Sequence, residues 1–302
     1  MRGIVPAVVT PFRDDELVDY KAWQQQIDLL ISSGVDGLFI LGGQGEFFAL
    51  SDEEREVAAR FCVQQAAGRV PVYANVGCLT TRDTVRLAQK AQADGVQYLV
   101  VITPFYIRPS EDELAAHYAE IASSVLIPVL AYDIPERTGV GLSPKILKRV
   151  AAKCENFVGL KDSSGDLDRI GEYTAAGLSV FMGRDLLILE GLKRGCVGAM
   201  SACSNVAPRA FVELYRAFQS GDVVAAARLQ ALIDPLRRTF ELGTFPAIVK
   251  EAMNLAGLSV GRCRRPVGPM PESALPQIEA ALAPLRDAGY LPPPVAMRAR
   301  RA

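Results

Sequence analysis

Short apolar runs alternate along the chain with segments in which apolar residues recur at helical spacing. Eight such runs occupy residues 3–9, 36–41, 71–76, 97–102, 127–132, 157–161, 179–183 and 196–201. Runs of this length without polar alternation are typical of parallel strands that are buried on both faces. The segments between them carry helix-boundary residues. Ser51 with Glu54 predicts a capping box, and Gly34 ends the helical pattern at 19–34.

Each predicted strand is followed by a predicted helix, and from about residue 207 onward only helical patterns remain. Eight strand–helix units in about 220 residues predict an α/β fold of the (β/α)8 TIM-barrel type. We expect the barrel over residues 1–222 and a C-terminal helical domain over residues 223–302. The alternative is a doubly wound sheet, but no G-x-G-x-x-G pattern follows the first strand.

Composition and charge argue against several classes of protein. Lysine and arginine total 33 against 34 acidic residues, so a net charge of −1 gives no electrostatic reason to expect a nucleic-acid or membrane partner. No apolar run approaches the ~18 residues that span a bilayer, and no signal-peptide pattern is found. The six cysteines contain no C-x-x-C pair and predict reduced thiols in the cytoplasm. His117 is the only histidine, which excludes a multi-histidine zinc site.

Polar residues at the strand ends are the candidates for chemistry, because the active site of a barrel lies at the carboxyl ends of its strands. Lys161 closes the apolar run FVGL. Desolvation at such a position favours an uncharged amine, which is a usable nucleophile. The alternative interpretation is a solvated lysine at the end of a strand.

Four other features end strands at the same edge. Tyr132 and Tyr106 supply phenol groups that can relay protons, although core aromatic residues would look the same. Arg137 lies in a turn and suits bidentate capture of a carboxylate, or is a surface arginine. The glycine-rich loop 42–45 allows close approach of backbone N–H groups to an anion, either a phosphate or a small carboxylate. A plain strand-to-helix turn is the alternative for this loop.

Several stretches together resemble one family of enzymes. They are VTPF at 9–12, GGQGEFFALSDEER at 42–55, TPFYIRPS at 103–110, YDIPERTG at 132–139, GLKDSSGD at 159–166, SNVAP at 204–208 and FPAIVKEAMNLAGL at 245–258. In order and spacing they resemble the dihydrodipicolinate synthase / N-acetylneuraminate lyase family of pyruvate-dependent class I aldolases. The resemblance runs over nearly the whole chain.

The resemblance implies a role for each candidate. Lys161 would attack the keto carbon of pyruvate or another 2-oxo acid and form a Schiff base, an electron sink for making or breaking a carbon–carbon bond. Tyr132 would shuttle protons near the imine, and Tyr106 would assist from across a dimer interface. The loop at Gly43 and Gln44 would hold the carboxylate of the 2-oxo acid.

The resemblance also implies the remaining site residues and the assembly. Arg137 is similar to the arginine that binds the carboxylate of the second substrate, and Gly183 and Met200 match positions that line the pocket. A homotetramer built as a dimer of dimers is expected, with neither a cofactor nor a metal ion. We therefore expect a cytoplasmic lyase that acts on pyruvate or another 2-oxo acid and an aldehyde.

Departures from the family pattern bear on the second substrate. Dihydrodipicolinate synthases typically carry two threonines where this chain has Gly43 and Gln44, and the first threonine hydroxyl links the two tyrosines in a proton relay. Glycine cannot build that relay unless a water molecule replaces the hydroxyl. The synthases also usually have Asn-Pro where this chain has Phe245-Pro246. These two differences favour an enzyme acting on 2-keto-3-deoxy sugar acids, whereas Arg137 favours the synthase.

Three classes of function therefore remain open. The first is a Schiff-base lyase, either of the 4-hydroxy-tetrahydrodipicolinate synthase type or a 2-keto-3-deoxy sugar acid aldolase or dehydratase. The second is a non-catalytic 2-oxo-acid binding protein that has lost turnover with the relay hydroxyl. The third is a phosphate-handling barrel enzyme in which the glycine loop is the phosphate cradle.

Overall fold

Eight parallel strands form one sheet in a computed structural model that describes residues 1–292. The strands are β1 Gly3–Ile4, β2 Leu38–Ile40, β3 Val72–Asn75, β4 Tyr98–Ile102, β5 Val129–Asp133, β6 Phe157–Asp162, β7 Ser179–Met182 and β8 Gly198–Ala199. Neighbours follow the order β1-β8-β7-β6-β5-β4-β3-β2. A parallel bridge between Ala7, just after β1, and Phe39 of β2 joins the two ends of that order. The predicted TIM barrel is confirmed.

Helices alternate with the strands and then continue alone. Those within the barrel are α1 Tyr20–Ser32, α2 Asp52–Ala66, α3 Thr81–Ala93, α4 Glu111–Ser123, α5 Pro135–Thr138, α6 Pro144–Ala151, α7 Leu167–Ala175, α8 Ile188–Lys193 and α9 Pro208–Gln219. The C-terminal helices are α10 Val223–Arg238, α11 Ala247–Leu255 and α12 Leu275–Asp287. No helix within residues 1–292 is long and apolar enough to cross a membrane.

The boundary expected between residues 222 and 223 falls at the turn between α9 and α10. These two helices pack against each other, and α10 also contacts α8. The division of the chain into two domains stays a prediction, and residues 293–302 of the second one lie outside the described part.

Local sequence signals account for the helix starts. The predicted capping box is present at α2, where the Ser51 hydroxyl accepts from the Glu54 N–H and the Glu54 carboxylate accepts from the Ser51 N–H. A second box at α4 pairs Ser110 with Glu113 in the same way. Each box satisfies two N–H groups that would otherwise lack partners, so these helices begin where the sequence predicts.

The first strand is shorter than its apolar run, which extends over 3–9. Beyond Ile4 the backbone N–H groups donate partly to β8 and the segment after it, and partly to β2. Ala7 N–H donates to the Ser201 carbonyl at 2.7 Å, whereas Val8 N–H donates to the Phe39 carbonyl at 2.8 Å. The run is buried because it closes the barrel, but no regular ladder continues through it.

The pairing of β5 with β6 positions the site. Val129 lies opposite Phe157, but the next residue, Leu130, lies opposite Gly159, so β6 contains one extra residue in a bulge. Beyond this bulge Tyr132 lies opposite Lys161. Because paired residues share one face of a sheet, the register brings these two side chains together at the carboxyl end of the barrel.

Candidate active site

Lys161 lies at the end of β6 with only 4% of its surface exposed. Its Nζ lies 4.1 Å from the centre of the Tyr132 ring and 4.7 Å from the centre of the Phe39 ring. Within residues 1–292 this nitrogen makes no hydrogen bond or ion pair. The amine is therefore held by ring faces and has no polar partner to displace before it bonds to a substrate carbon.

Tyr132 is the other group at the centre of the site. It is buried, and its ring packs edge-on against Phe39 with 6.0 Å between ring centres. The described residues offer its hydroxyl no hydrogen-bond partner, which leaves the phenol available for a substrate. A phenol beside an unpaired amine can pass protons to and from whatever the amine binds.

Most of the other predicted residues line the same pocket as Lys161 and Tyr132. They are Gln44, Arg137, Gly183 and Met200. At Gly183, an added Cβ would lie 2.1 Å from the Ser163 Oγ, so a glycine is needed for the end of β7 to approach β6 this closely.

The glycines at 42, 43 and 45 are not required by their backbone angles, because none of them has a positive φ. They are required because neighbouring atoms leave no room for a side chain. A Cβ on Gly43 would lie 2.9 Å from the Phe245 ring, and one on Gly45 would lie 2.9 Å from the Leu41 nitrogen. The loop does not lead directly into a helix as expected, since a 3-10 turn at Phe47–Ala49 precedes α2.

This loop also presents polar groups that lack partners. In the described part of the chain, the N–H groups of Gly43 and Gln44 donate no hydrogen bond. The Gln44 side-chain oxygen is buried and likewise unpaired in that part of the chain. Consecutive free N–H groups at a pocket wall suit an anion such as a carboxylate.

Arg137 is carried by α5 and stacks on Phe245, with 3.8 Å between its guanidinium carbon and the ring centre. Burial is the largest influence on its pKa and lowers it, and the charges of Arg184 and Arg237 act in the same direction. Over residues 1–292 its guanidinium donates no hydrogen bond. All its donors are therefore available to a ligand.

Tyr106 lies away from the pocket of its own chain. It follows β4 with φ of 73° and is 94% exposed. Other large apolar side chains near this end of the barrel are also exposed, namely Phe48, Leu79 and Ile107. The proposed role of Tyr106 requires a second chain and stays a prediction.

Two pocket arginines were missed by sequence reasoning. Arg184 directly follows Gly183 after β7, so the rule of inspecting each strand end could have found it. Arg237 lies near the end of α10, where no sequence signal marks it, because a helical pattern does not say which polar residue points at a neighbouring pocket. Both line the cavity that contains Lys161.

Two buried carboxyl groups lie behind the site, on the outer face of β5 and β6. Asp133 and Asp162 are opposite each other in the ladder, and both are fully buried. Burial, with a smaller contribution from the Asp162 charge, raises the pKa of Asp133 to about 7. Its carboxyl accepts from the Leu142 N–H at 3.3 Å and lies 3.7 Å from Arg169. It thereby links β5 to the loop that follows Arg137.

Known proteins resemble this chain along nearly its whole length. Residues 1–285 match the model of the dihydrodipicolinate synthetase family. The 4-hydroxy-tetrahydrodipicolinate synthase of Bartonella quintana (strain Toulouse) is 34% identical over 285 residues, which cover 93% of this chain and 97% of that protein. Dihydrodipicolinate synthase from Aquifex aeolicus superposes with a TM-score of 0.92 at 32% identity, covering 95% of this chain and 98% of the other.

A second solved structure is that of YagE, a prophage protein of the dihydrodipicolinic acid synthase family from E. coli K12, in complex with pyruvate. It superposes with a TM-score of 0.91 at 34% identity and covers 95% of this chain and 99% of that one. The likeness to both structures extends over the barrel and the C-terminal helices alike.

Proposed function

The chain belongs to the dihydrodipicolinate synthetase family and is a lyase, and we propose that it works through an imine formed on Lys161. The substrates would be pyruvate, or another 2-oxo acid, and an aldehyde that is joined to it or released from it. The observation that carries this proposal is the buried amine of Lys161, which lies 4.1 Å from the centre of the Tyr132 ring and has no polar partner within residues 1–292. The pyruvate complex of YagE supports the choice of 2-oxo acid.

In the proposed reaction the Lys161 nitrogen attacks the keto carbon, and the oxygen leaves as water. Tyr132 relays one proton from the nitrogen to the oxygen and then donates its own, so that water leaves, an iminium forms and the Tyr132 oxygen remains as a phenolate. The iminium withdraws electrons from the neighbouring carbon, which gives a proton to the Tyr132 phenolate and becomes an enamine. The enamine carbon attacks the aldehyde, whose oxygen takes that proton from Tyr132, and the iminium forms again. Water then attacks the iminium and returns a proton to Tyr132, which releases the product and restores the amine.

The remaining pocket groups would hold the two substrates. The N–H groups of Gly43 and Gln44, which donate no hydrogen bond within residues 1–292, suit the carboxylate of the 2-oxo acid. The unpaired guanidinium of Arg137 suits a carboxylate on the aldehyde partner. Bidentate contacts of this kind would orient the aldehyde carbon towards the enamine.

Two reactions fit this frame. One is of the 4-hydroxy-tetrahydrodipicolinate synthase type, which the relatives favour at 34% identity. The other is cleavage or dehydration of a 2-keto-3-deoxy sugar acid. It is favoured by the Phe245 ring, which occupies the space beside Gly43 that a threonine of the synthase relay would need.

Trapping of the imine tests the proposal. Borohydride added with pyruvate should attach about 70 Da to the intact chain, and peptide mapping should locate the mass on Lys161. Lys161→Ala should lose the adduct, while Lys145→Arg, a change at an exposed lysine, should keep it. An adduct elsewhere, or none, would contradict the mechanism. An adduct without exchange of the pyruvate methyl protons would instead indicate a binding protein.

We also propose that the chain assembles into homo-oligomers, as a dimer of dimers, in the cytoplasm. The exposed apolar side chains of Phe48, Leu79 and Ile107 surround the loop of Tyr106 and support a contact there. Light scattering of the purified protein would give the number of chains. Fractionation of the source cells would test the location.

A further inference from the structure

The wall of the pocket that contains Lys161 is rich in cationic side chains. Arg137, Arg184 and Arg237 all line the cavity that contains Lys161. The carboxylates that line it are those of Glu136 and Asp185. The three arginines are close enough to interact, since Arg184 and Arg237 both lower the pKa of Arg137 and both lower that of Glu136.

Arg184 is already engaged by the protein. It donates to the Ser163 carbonyl at 2.7 Å and pairs with the Glu136 carboxylate at 2.6 Å. This pair offsets the charge of Glu136 with a cation of the protein itself. Arg184 is therefore a structural member of the wall.

Arg237 is less completely engaged. Its guanidinium lies 4.3 Å from the centre of the Phe240 ring, and its Nε is 4.0 Å from Asp185, too far for a hydrogen bond. Asp185 itself is buried and accepts a short hydrogen bond from the Ser201 hydroxyl. Within the described residues the Arg237 side chain donates no hydrogen bond, and it is 21% exposed. Its donors remain available to a ligand.

Arg137 and Arg237 share one arrangement. Each guanidinium stacks on a phenylalanine, Phe245 or Phe240, at 3.8 and 4.3 Å. Stacking fixes the plane of the guanidinium while leaving its edge free for a carboxylate. Once the iminium has formed on Lys161, it and the three guanidinium groups face two carboxylates around the pocket, so two negative charges are needed for balance. The 2-oxo acid carboxylate supplies one of them.

We propose that Arg237, with Arg137, forms a distal anion subsite, and that the aldehyde partner ends in a carboxylate and carries no ammonium group. An ammonium would meet the same cations, and the two carboxylates of the wall are already engaged, Glu136 by Arg184 and Asp185 by Ser201. The coupled product would be a 2-oxo acid with carboxylates at both ends. This inference rests on the proposed function and names its substrate class.

Three aldehydes of equal carbon number separate the possibilities. Butanal is neutral, succinic semialdehyde adds a terminal carboxylate, and aspartate semialdehyde adds an ammonium beside that carboxylate. With pyruvate as partner, kcat/KM should be at least tenfold higher for succinic semialdehyde than for either of the others. A preference for aspartate semialdehyde would overturn the exclusion of the ammonium, and equal rates with butanal would overturn the subsite.

Arg237→Gln should lower the ratio of kcat/KM for succinic semialdehyde to that for butanal at least tenfold, and Arg237→Lys should restore part of it. Arg238→Gln is the matched control, because Arg238 is the next residue, is exposed and does not line the pocket. An unchanged ratio in Arg237→Gln would overturn the role of Arg237.

Exchange of the pyruvate methyl protons, followed by NMR without any aldehyde, separates this proposal from the proposed function. Exchange together with no selectivity among the aldehydes would overturn the subsite alone. Absence of exchange in the unmodified chain would overturn the imine mechanism, and the subsite with it.

Discussion

Gly43 and Phe245 occupy adjoining space in the pocket wall, so the identity of one limits the identity of the other. A Cβ on residue 43 would lie 2.9 Å from the Phe245 ring, closer than such atoms approach in folded proteins. Glycine at position 43 and phenylalanine at position 245, the two departures from the synthase pattern, are therefore sterically coupled. The same ring supports Arg137, so this coupling also shapes the site for the second substrate.

Gly43→Thr should therefore destabilise the protein by about 1–3 kcal/mol, since the threonine side chain would overlap the Phe245 ring. The double variant Gly43→Thr/Phe245→Asn should recover most of this loss, because the smaller residue vacates the space. Urea denaturation measures both. Gly268→Thr is the control, since Gly268 is exposed with nothing near its Cβ position. Equal losses in the single and double variants would show that the two positions are independent.

Asp133 should make the stability of the protein depend on pH. Its pKa is raised from the ordinary value of 3.8 to about 7 by burial, so the folded chain holds a proton that the unfolded chain has already released. The stability linked to this proton is present at low pH and is lost as the pH rises through about 7. The free energy of unfolding should fall by up to about 1.4 kcal/mol per pH unit between pH 5 and 7.

Asp133→Asn keeps an oxygen for the Leu142 N–H but removes the titration. Its free energy of unfolding, relative to the unmodified chain, should therefore be more favourable at pH 8 than at pH 5. Urea denaturation at the two pH values gives the comparison, with the exposed Asp14→Asn as control. The same pH dependence in both chains would assign the titration to another group.

Among the elements, the C-terminal helices contribute directly to the pocket. Arg237 lies in α10, and Phe240 and Phe245 lie between α10 and α11. The barrel strands, the capped helices and the Lys161–Tyr132 pair could be predicted, because hydrophobic period and strand ends follow from neighbouring residues. The contribution of Arg237 could not, because it depends on how α10 packs against the barrel.

A buried ion pair connects the loop after β2 to α11. Lys250 Nζ lies 2.6 Å from the Glu46 carboxylate, and the two side chains are 2% and 0% exposed. Lys250 also donates to the Arg262 carbonyl at 3.0 Å, and Glu46 accepts from the Arg264 N–H at 3.1 Å. The pair thus holds the glycine loop against the C-terminal helices.

Lys250→Met should cost about 3–5 kcal/mol of stability, because it leaves the Glu46 charge buried without its partner. The double variant Glu46→Gln/Lys250→Met should cost less than the single one. For comparison, Arg149→Met breaks an exposed pair with Asp112 and should change the stability by less than about 1 kcal/mol. A similar small effect in Lys250→Met, measured by urea denaturation, would mean that the buried pair contributes little.

At the scale of the whole molecule, the structure of one chain gives Tyr106 no role in the site that contains Lys161. Tyr106 is 94% exposed and lies outside the pocket of Lys161. Tyrosines so exposed among other apolar side chains are typical of an interface between chains. No pattern in one sequence indicates which surface a second copy covers, so the fold could be predicted whereas the assembly remains a proposal.

If Tyr106 acts in the site of a partner chain, two inactive variants should complement each other. Tyr106→Phe and Lys161→Ala should each lose most activity alone. Co-expressed together, they should regain up to about a quarter of it, because about half of all dimers would be mixed and each mixed dimer would contain one intact site of two. Turnover of the whole purified population of dimers is the measurement.

Lys161→Ala co-expressed with Tyr132→Phe is the matched control and should regain nothing, because those two residues belong to one chain's site. Recovery in the control, or its absence with Tyr106→Phe, would place Tyr106 outside the partner's site.

The bulge in β6 decides whether Lys161 faces the inside or the outside of the barrel. Val158 is the extra residue between Phe157 and Gly159, and it sets which alternate side chains of the strand turn inward. If the ladder ran regularly from Phe157 onward without the bulge, Lys161 would lie opposite Asp133 and face the helices, while its neighbours would face the barrel interior. A change of one residue in this strand upstream of the lysine therefore keeps the nucleophile inside the barrel only if a bulge is gained or lost with it.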